Sequence, residues 1–180
     1  AYAIASVAKK KGLDFSESVE IPRASDLASR TEKLLEDPYL FIDPTKRSQS
    51  PLKIESKLRD LLQKHDRETA AIMIAISVTK EMHAATGDRR RAIDSGLRVG
   101  LAVLTEAVLV APLDGIGDVR IMSNADGSEF LSIDFCGPIR AAGGTAQALG
   151  VLIGDILRRE IGGGRYIPTI PEVERVKEEF

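Results

Sequence analysis

The chain has 180 residues, of which 43% are hydrophobic and 29% charged, the balance of a soluble globular domain long enough for a real core. With 25 Lys and Arg against 27 Asp and Glu, the net charge is −2, so there is no global basic field and any nucleic-acid contact must come from a local patch. The single cysteine excludes an internal disulfide, and no apolar run approaches the roughly 18 residues of a membrane span, since the longest candidate is interrupted by Arg98, Glu106 and Pro112.

In chain order, residues 1–12 read as a helix with a basic end, Lys9-Lys10-Lys11, stopped by Gly12. An extended connector over 13–24 leads to a helix that Ser25 or Asp26 can cap and that carries Leu27, Leu34 and Leu35. Three prolines and a polar run make 37–51 a surface loop. A helix over 51–65 places Ile54, Leu58, Leu61 and Leu62 on one face. The next, over 67–85, is apolar nearly all round (Ile72, Met73, Ile74, Ile76, Val78), reads as the central buried helix, and ends at Gly87. A long helix over 88–110 turns Ile93, Leu97, Leu101, Leu104 and Val108 to the core, and Pro112 stops it.

A β-hairpin follows, with strands 119–123 and 129–135 joined through Asn124-Ala125-Asp126-Gly127. Then comes FCGPIRAAGGTAQAL (135–149), which holds a rigid turn (Gly137-Pro138), a cation (Arg140), a Gly143-Gly144 step and Thr145 as a helix cap. Leu149, Leu152, Ile153, Ile156 and Leu157 continue at helical spacing, so the local order is strand, glycine-rich loop, helix. Such a loop can aim free backbone N–H groups and a positive helix end at an anion, with Arg140 as a second contact. The competing reading is a tight turn with Gly143 and Gly144 at positive φ. Gly162-Gly163-Gly164 breaks the helix, and a charged helix over 171–180 ends the chain. The fold class is α+β, mostly helical, with a small antiparallel hairpin between long helices.

Constellations for chemistry are weak. Two-metal phosphoryl transfer needs converging carboxylates. Asp114, Asp118, Asp126, Glu129 and Asp134 gather near the hairpin, but Asp114, Asp118 and Asp126 sit beside glycines where turn chemistry accounts for them. His65 and His83 lie on separate helix ends, and no HExxH is present, so no metal ligand set is expected. Cys136 reads as a small buried residue. Arg89-Arg90-Arg91 opens a helix, where the macrodipole disfavours cations; Asp88 offsets part of this. Arg91 and Arg98 share a face, and phosphate contact, a partner's acidic surface and a solvated helix end all remain open for the cluster.

The loop sequence 135–149 resembles the signature of the large subunit of the archaeal D-family DNA polymerases (DNA polymerase II). VEIPRASDLASRTEKLL (19–35), GLRVGLAVLTEAVLVAPLDGIGDVRI (96–121), DGSEFLSIDF (126–135) and RRE…RYIPTIPEVERVKEE (158–179) follow the family's pattern in order. The resemblance covers nearly all of the chain and is weakest over 37–65. It implies that 1–180 is the N-terminal domain of a larger polymerase subunit, with a helical arm and loop at 1–50 and a helical core with hairpin and glycine-rich loop at 51–180. The start without Met and the uncapped last helix agree with an excised segment. For the intact subunit it implies magnesium-dependent, DNA-templated DNA synthesis, a smaller exonuclease partner subunit, DNA as substrate and a cytoplasmic, nucleoid-associated location. This segment inherits no catalytic position, and its expected roles are folding, subunit or self-association, and DNA-backbone contact. Arg140, Gly143, Gly144, Thr145, Arg89, Arg90, Arg91 and Arg98 are the candidate contacts, and Gly137 and Pro138 the structural turn. A purely structural interaction module and a stand-alone phosphate- or nucleotide-binding domain are the alternatives.

Overall fold

The computed structural model describes residues 26–35, 52–106, 111–137, 139 and 144–179. The expected helix at 1–12, the connector at 13–24, the 37–51 loop, and Val108, Pro138, Arg140 and Gly143 lie outside the described residues.

Asp26 caps the first helix, α1 (Leu27–Leu34), by accepting from the Ser29 N–H at 2.9 Å. Helix α2 (Ile54–Leu62) is shorter than the 51–65 pattern, because Lys53 at its start is left-handed (φ 48°) and the chain turns after Leu62. Helix α3 (Arg67–Thr86) matches its expected span almost to the residue. Asp66 holds its first turn through Thr69, and Gly87 closes it at φ 69°. It is not buried all round: Met73 is 40% exposed, while Ile74, Ala75, Val78 and Met82 are sealed.

Asp88 caps α4 (Arg89–Leu104) by accepting from the Arg91 N–H at 3.0 Å. The helix stops short of the expected residue 110. Thr105 turns its hydroxyl back to the Leu101 carbonyl at 2.8 Å, and Glu106 sits at φ 58°, a conformation no helix continues. Pro112, expected to end this helix, belongs to a separate short helix, α5 (Ala111–Asp114).

Strands β1 (Ile116–Ser123) and β2 (Glu129–Phe135) pair antiparallel, Val119 opposite Ile133 and Ile121 opposite Leu131. β1 begins earlier than its apolar run because an irregularity between Ile116 and Asp118 absorbs Gly117. Helix α6 (Thr145–Glu160) packs back on α4 and on β2, and helix α7 (Ile170–Glu179) closes the described chain.

Two apolar clusters share α3 and α4. One gathers α1, α2 and the outer faces of α3 and α4 around Leu35, Ile54, Leu58, Ile74 and Val78. The other gathers α4, the hairpin and α6 around Leu97, Leu101, Val119, Ile153 and Leu157. Glycines set how closely these elements approach. A Cβ on Gly96 would fall 2.0 Å from Thr79 Oγ1 and 2.7 Å from the Ala75 carbonyl oxygen, and one on Gly154 would fall 2.6 Å from Ile133 Cδ1. The mostly helical α+β class read from the sequence is the architecture observed.

Candidate functional site

The glycine-rich loop joins β2 to α6. Gly137 (φ 50°) and Gly144 (φ 88°) both adopt the left-handed conformation expected of such a turn. Between them Ile139 is buried in the second cluster and ties the loop to the core. The helix cap differs from expectation. Gly144 is itself the N-cap, Thr145 is the first helical residue, and no described side chain caps the exposed N–H groups. As the first helical residue, Thr145 stands one position beyond the N-cap, from which a side chain reaches the free N–H groups of the first turn.

Two arginines of the cluster face the hairpin. Arg89 pairs with Glu129, and Arg90 Nη1 reaches Asp118 at 3.2 Å. Asp118 and Asp134 stand opposite each other across the two strands, a repulsive arrangement that Arg120 relieves by pairing with both. That proximity, to Asp134 above all, raises the Arg120 pKa. The start of α4 and the outer face of the hairpin are thus joined by a run of alternating charges, Arg90–Asp118–Arg120–Asp134, and this accounts for cations at a helix start that the macrodipole disfavours.

Arg98 does not share that surface. It is 4% exposed, donates to the Leu113 carbonyl at 2.7 Å and the Ile116 carbonyl at 3.0 Å, and pairs with Asp94 at 2.8 Å. The expectation that it joins Arg91 in phosphate contact is replaced by a structural role: it fastens the α5–β1 junction to α4. Burial pushes the Asp94 carboxyl up, against the pull of the Arg98 charge.

Around the hairpin, Asp118, Glu129 and Asp134 are paired with arginines and Asp126 with its own turn. Asp126 accepts from the Ser128 hydroxyl and N–H at 2.6 and 2.9 Å, which lowers its pKa. Among the described residues no three His, Cys, Asp or Glu side chains converge as a metal site. His65 is exposed in the turn after α2 and His83 lies in the last turn of α3. Cys136 is exposed rather than buried, and its thiol donates to the Asp114 carbonyl at 3.0 Å. The thiol thus lies against the turn backbone at the base of the hairpin, outside both apolar clusters.

Three features escaped the sequence reading. Asn124, taken as a turn residue, is 8% exposed and holds the segment before α7: its amide donates to the Arg165 carbonyl and accepts from the Ile167 N–H, both at 2.9 Å. Tyr166 packs edge-on against Phe130, ring centroids 4.9 Å apart. Glu172 supplies one half of a capping box at the start of α7, its carboxylate accepting from the Thr169 N–H and hydroxyl at 2.7 Å and from the Tyr166 hydroxyl at 2.6 Å. Those donors, Tyr166 first, hold the Glu172 pKa down at about 2. The T-x-x-E spacing was a legible signal, whereas Asn124 and the segment it holds are more than 40 residues apart and had none.

A family model described as DNA polymerase II large subunit DP2, N-terminal, matches residues 1–180. The chain is 46% identical over 179 residues to the DNA polymerase II large subunit of Thermoplasma volcanium, covering 99% of this chain and 15% of the relative. It is 39% identical over 181 residues to the subunits of the same name from Thermococcus kodakarensis and Pyrococcus furiosus, covering 9% and 13% of their lengths. The chain therefore spans a small fraction of the relatives it matches. With a match along its whole length, it belongs to the DNA polymerase II large subunit family, as the N-terminal region of that subunit.

Proposed function

We propose that the intact protein is the catalytic large subunit of an archaeal replicative DNA polymerase, extending DNA on a template with magnesium and working beside a smaller exonuclease subunit in the cytoplasm. The observation that carries this is the family match over residues 1–180. Within that protein, 1–180 acts as a non-catalytic N-terminal domain, its 1–50 arm and loop preceding the 51–180 core. The arginine pairing of the hairpin carboxylates supports this: Asp118 and Asp134 are each engaged by an arginine, which leaves them poorly suited to hold a magnesium pair. The test is magnesium-dependent primer extension. The intact large subunit with its partner extends a primer, and residues 1–180 alone do not; extension by 1–180 that Asp134→Asn abolishes would overturn the assignment.

A DNA-backbone contact through Arg89, Arg90 and Arg91, with the Arg140–Thr145 loop, is the finer reading of this domain. The exposure of the Arg90–Asp118 pair supports it, since an exposed ion pair is worth only about 0–1 kcal/mol and a phosphate can displace the carboxylate. The net charge of −2 and the arginine pairing favour the second reading, a protein-interaction module that folds or joins subunits without touching DNA. No helix among the described residues is long and apolar enough to cross a membrane.

A further inference from the structure

Helix α7 is held in place but buries none of its own residues against the rest of the described chain. The segment leading into it is anchored to the hairpin by two hydrogen bonds to Asn124 and by the Phe130–Tyr166 contact, and its first turn is fixed by the Thr169–Glu172 hydrogen bonds. Yet Ile170, Val173 and Val176, which follow one another along a single stripe, are 79%, 37% and 55% exposed. A helix this short is marginal in water without packing of its apolar face. Before it, Tyr166 lines a groove of about 250 Å³ together with the apolar Leu131, Ile133, Phe135 and Val151 and the charged Asp155, Arg158 and Arg165. The stripe on α7 is thus an unpartnered apolar face at the end of the anchored segment.

We propose that this surface is the docking site for a later part of the same large-subunit polypeptide. The proposal rests on the reading that the domain continues into a full-length subunit, as its relatives do, of which it matches 9–15%. Size selects the occupant. Ten residues of helix are about 15 Å long and 10 Å across, far short of the roughly 800 Å² per partner that a stable interface between separate chains takes. Docking within one chain needs no such area, because the tether supplies an effective concentration in the range of about 1 mM. The anchored linker adds to this: with the helix already oriented, docking orders little more than side chains.

The test places a photo-crosslinker in the intact large subunit, purified with its partner, by Val176→p-benzoylphenylalanine, and in a control by Arg175→p-benzoylphenylalanine, off the apolar stripe of α7. The expected result is crosslinking from position 176 to peptides of the same chain beyond residue 180, in at least tenfold higher yield than from 175. Equal yields, no crosslink, or crosslinks to the small subunit or a second copy would overturn the proposal. Primer extension by the same preparation is scored separately, so a loss of polymerase activity bears on the polymerase reading and leaves the docking result to stand or fall on its own.

Discussion

Arg98 is the residue whose sequence context misleads most. It follows the Arg89–Arg91 cluster on the helix surface pattern, but two backbone carbonyls and Asp94 take up its guanidinium inside the fold. Arg98→Met keeps the bulk and leaves a carboxylate and two carbonyls without their donor, so it should destabilise the domain by about 3–5 kcal/mol in denaturant unfolding. The loop residues separate in the same way. A Cβ at Gly144, φ 88°, would meet nothing within 4 Å, so the strain of Gly144→Val lies in the backbone conformation and should cost about 1–2 kcal/mol or more. Thr145 does not cap its helix, and Thr145→Ala should change stability by less than about 0.5 kcal/mol. A Thr145→Ala destabilisation of about 1 kcal/mol or more in thermal unfolding would show that the hydroxyl caps the helix after all.

Two elements carry predictions of their own. The start of α4 bears Arg89, Arg90 and Arg91 against the dipole, and the hairpin carboxylates Glu129 and Asp118 compensate the first two. The triple Ala variant removes exposed pairs worth about 0–1 kcal/mol each and relieves dipole repulsion of similar size, so unfolding should shift little. If these arginines touch phosphate in the assembled enzyme, the slope of log affinity against log salt flattens by about one unit for each phosphate the variant no longer neutralises; an unchanged slope assigns the cluster to the hairpin alone. At the start of α7, the Glu172 carboxyl is lowered from 4.5 to about 2 by its three donors. A depressed carboxyl stabilises the helix start fully above the unfolded value of 4.5, and the contribution is lost as pH falls toward about 2. The first turn of α7 should therefore survive at about pH 4 and fray near about pH 2, followed by amide exchange or by NMR titration of the Glu172 carboxyl. In Glu172→Ala the fraying should already be present at neutral pH.

Across the whole molecule, the two clusters are coupled by α3 and α4, and Gly96 sits where those helices meet. Gly96→Ala gains about 1 kcal/mol of helix propensity, but it drives a methyl group into Thr79 and the Ala75 carbonyl, an overpacking that costs about 1–3 kcal/mol. A net destabilisation is expected because backbone, not only a side chain, must move. Thr79→Ala in the same chain should recover part of it, since the Ala75 carbonyl remains at 2.7 Å from the added carbon. Full recovery in the double variant would place the whole clash on the threonine hydroxyl.

Local signals and long-range geometry divided the rest between them. Capping carboxylates, glycine stops and apolar periodicity made α1, α3 and the hairpin legible, because each depends on residues within a turn or two of one another: Asp66 with Thr69, Gly87 with His83, Val119 with its neighbours on one face. Family membership was legible too, since it follows from the order of residues along the chain. The early end of α4 at Glu106, the burial of Arg98, the pairing of Arg89 and Arg90 with the hairpin, and the grip of Asn124 on residues 165–167 were not. Each depends on which distant segment the fold brings alongside. A guanidinium near a helix start is a solvated cation, a phosphate ligand or a structural strut according to whether carboxylates, solvent or carbonyls stand opposite it, and that is settled by packing between elements far apart in the sequence.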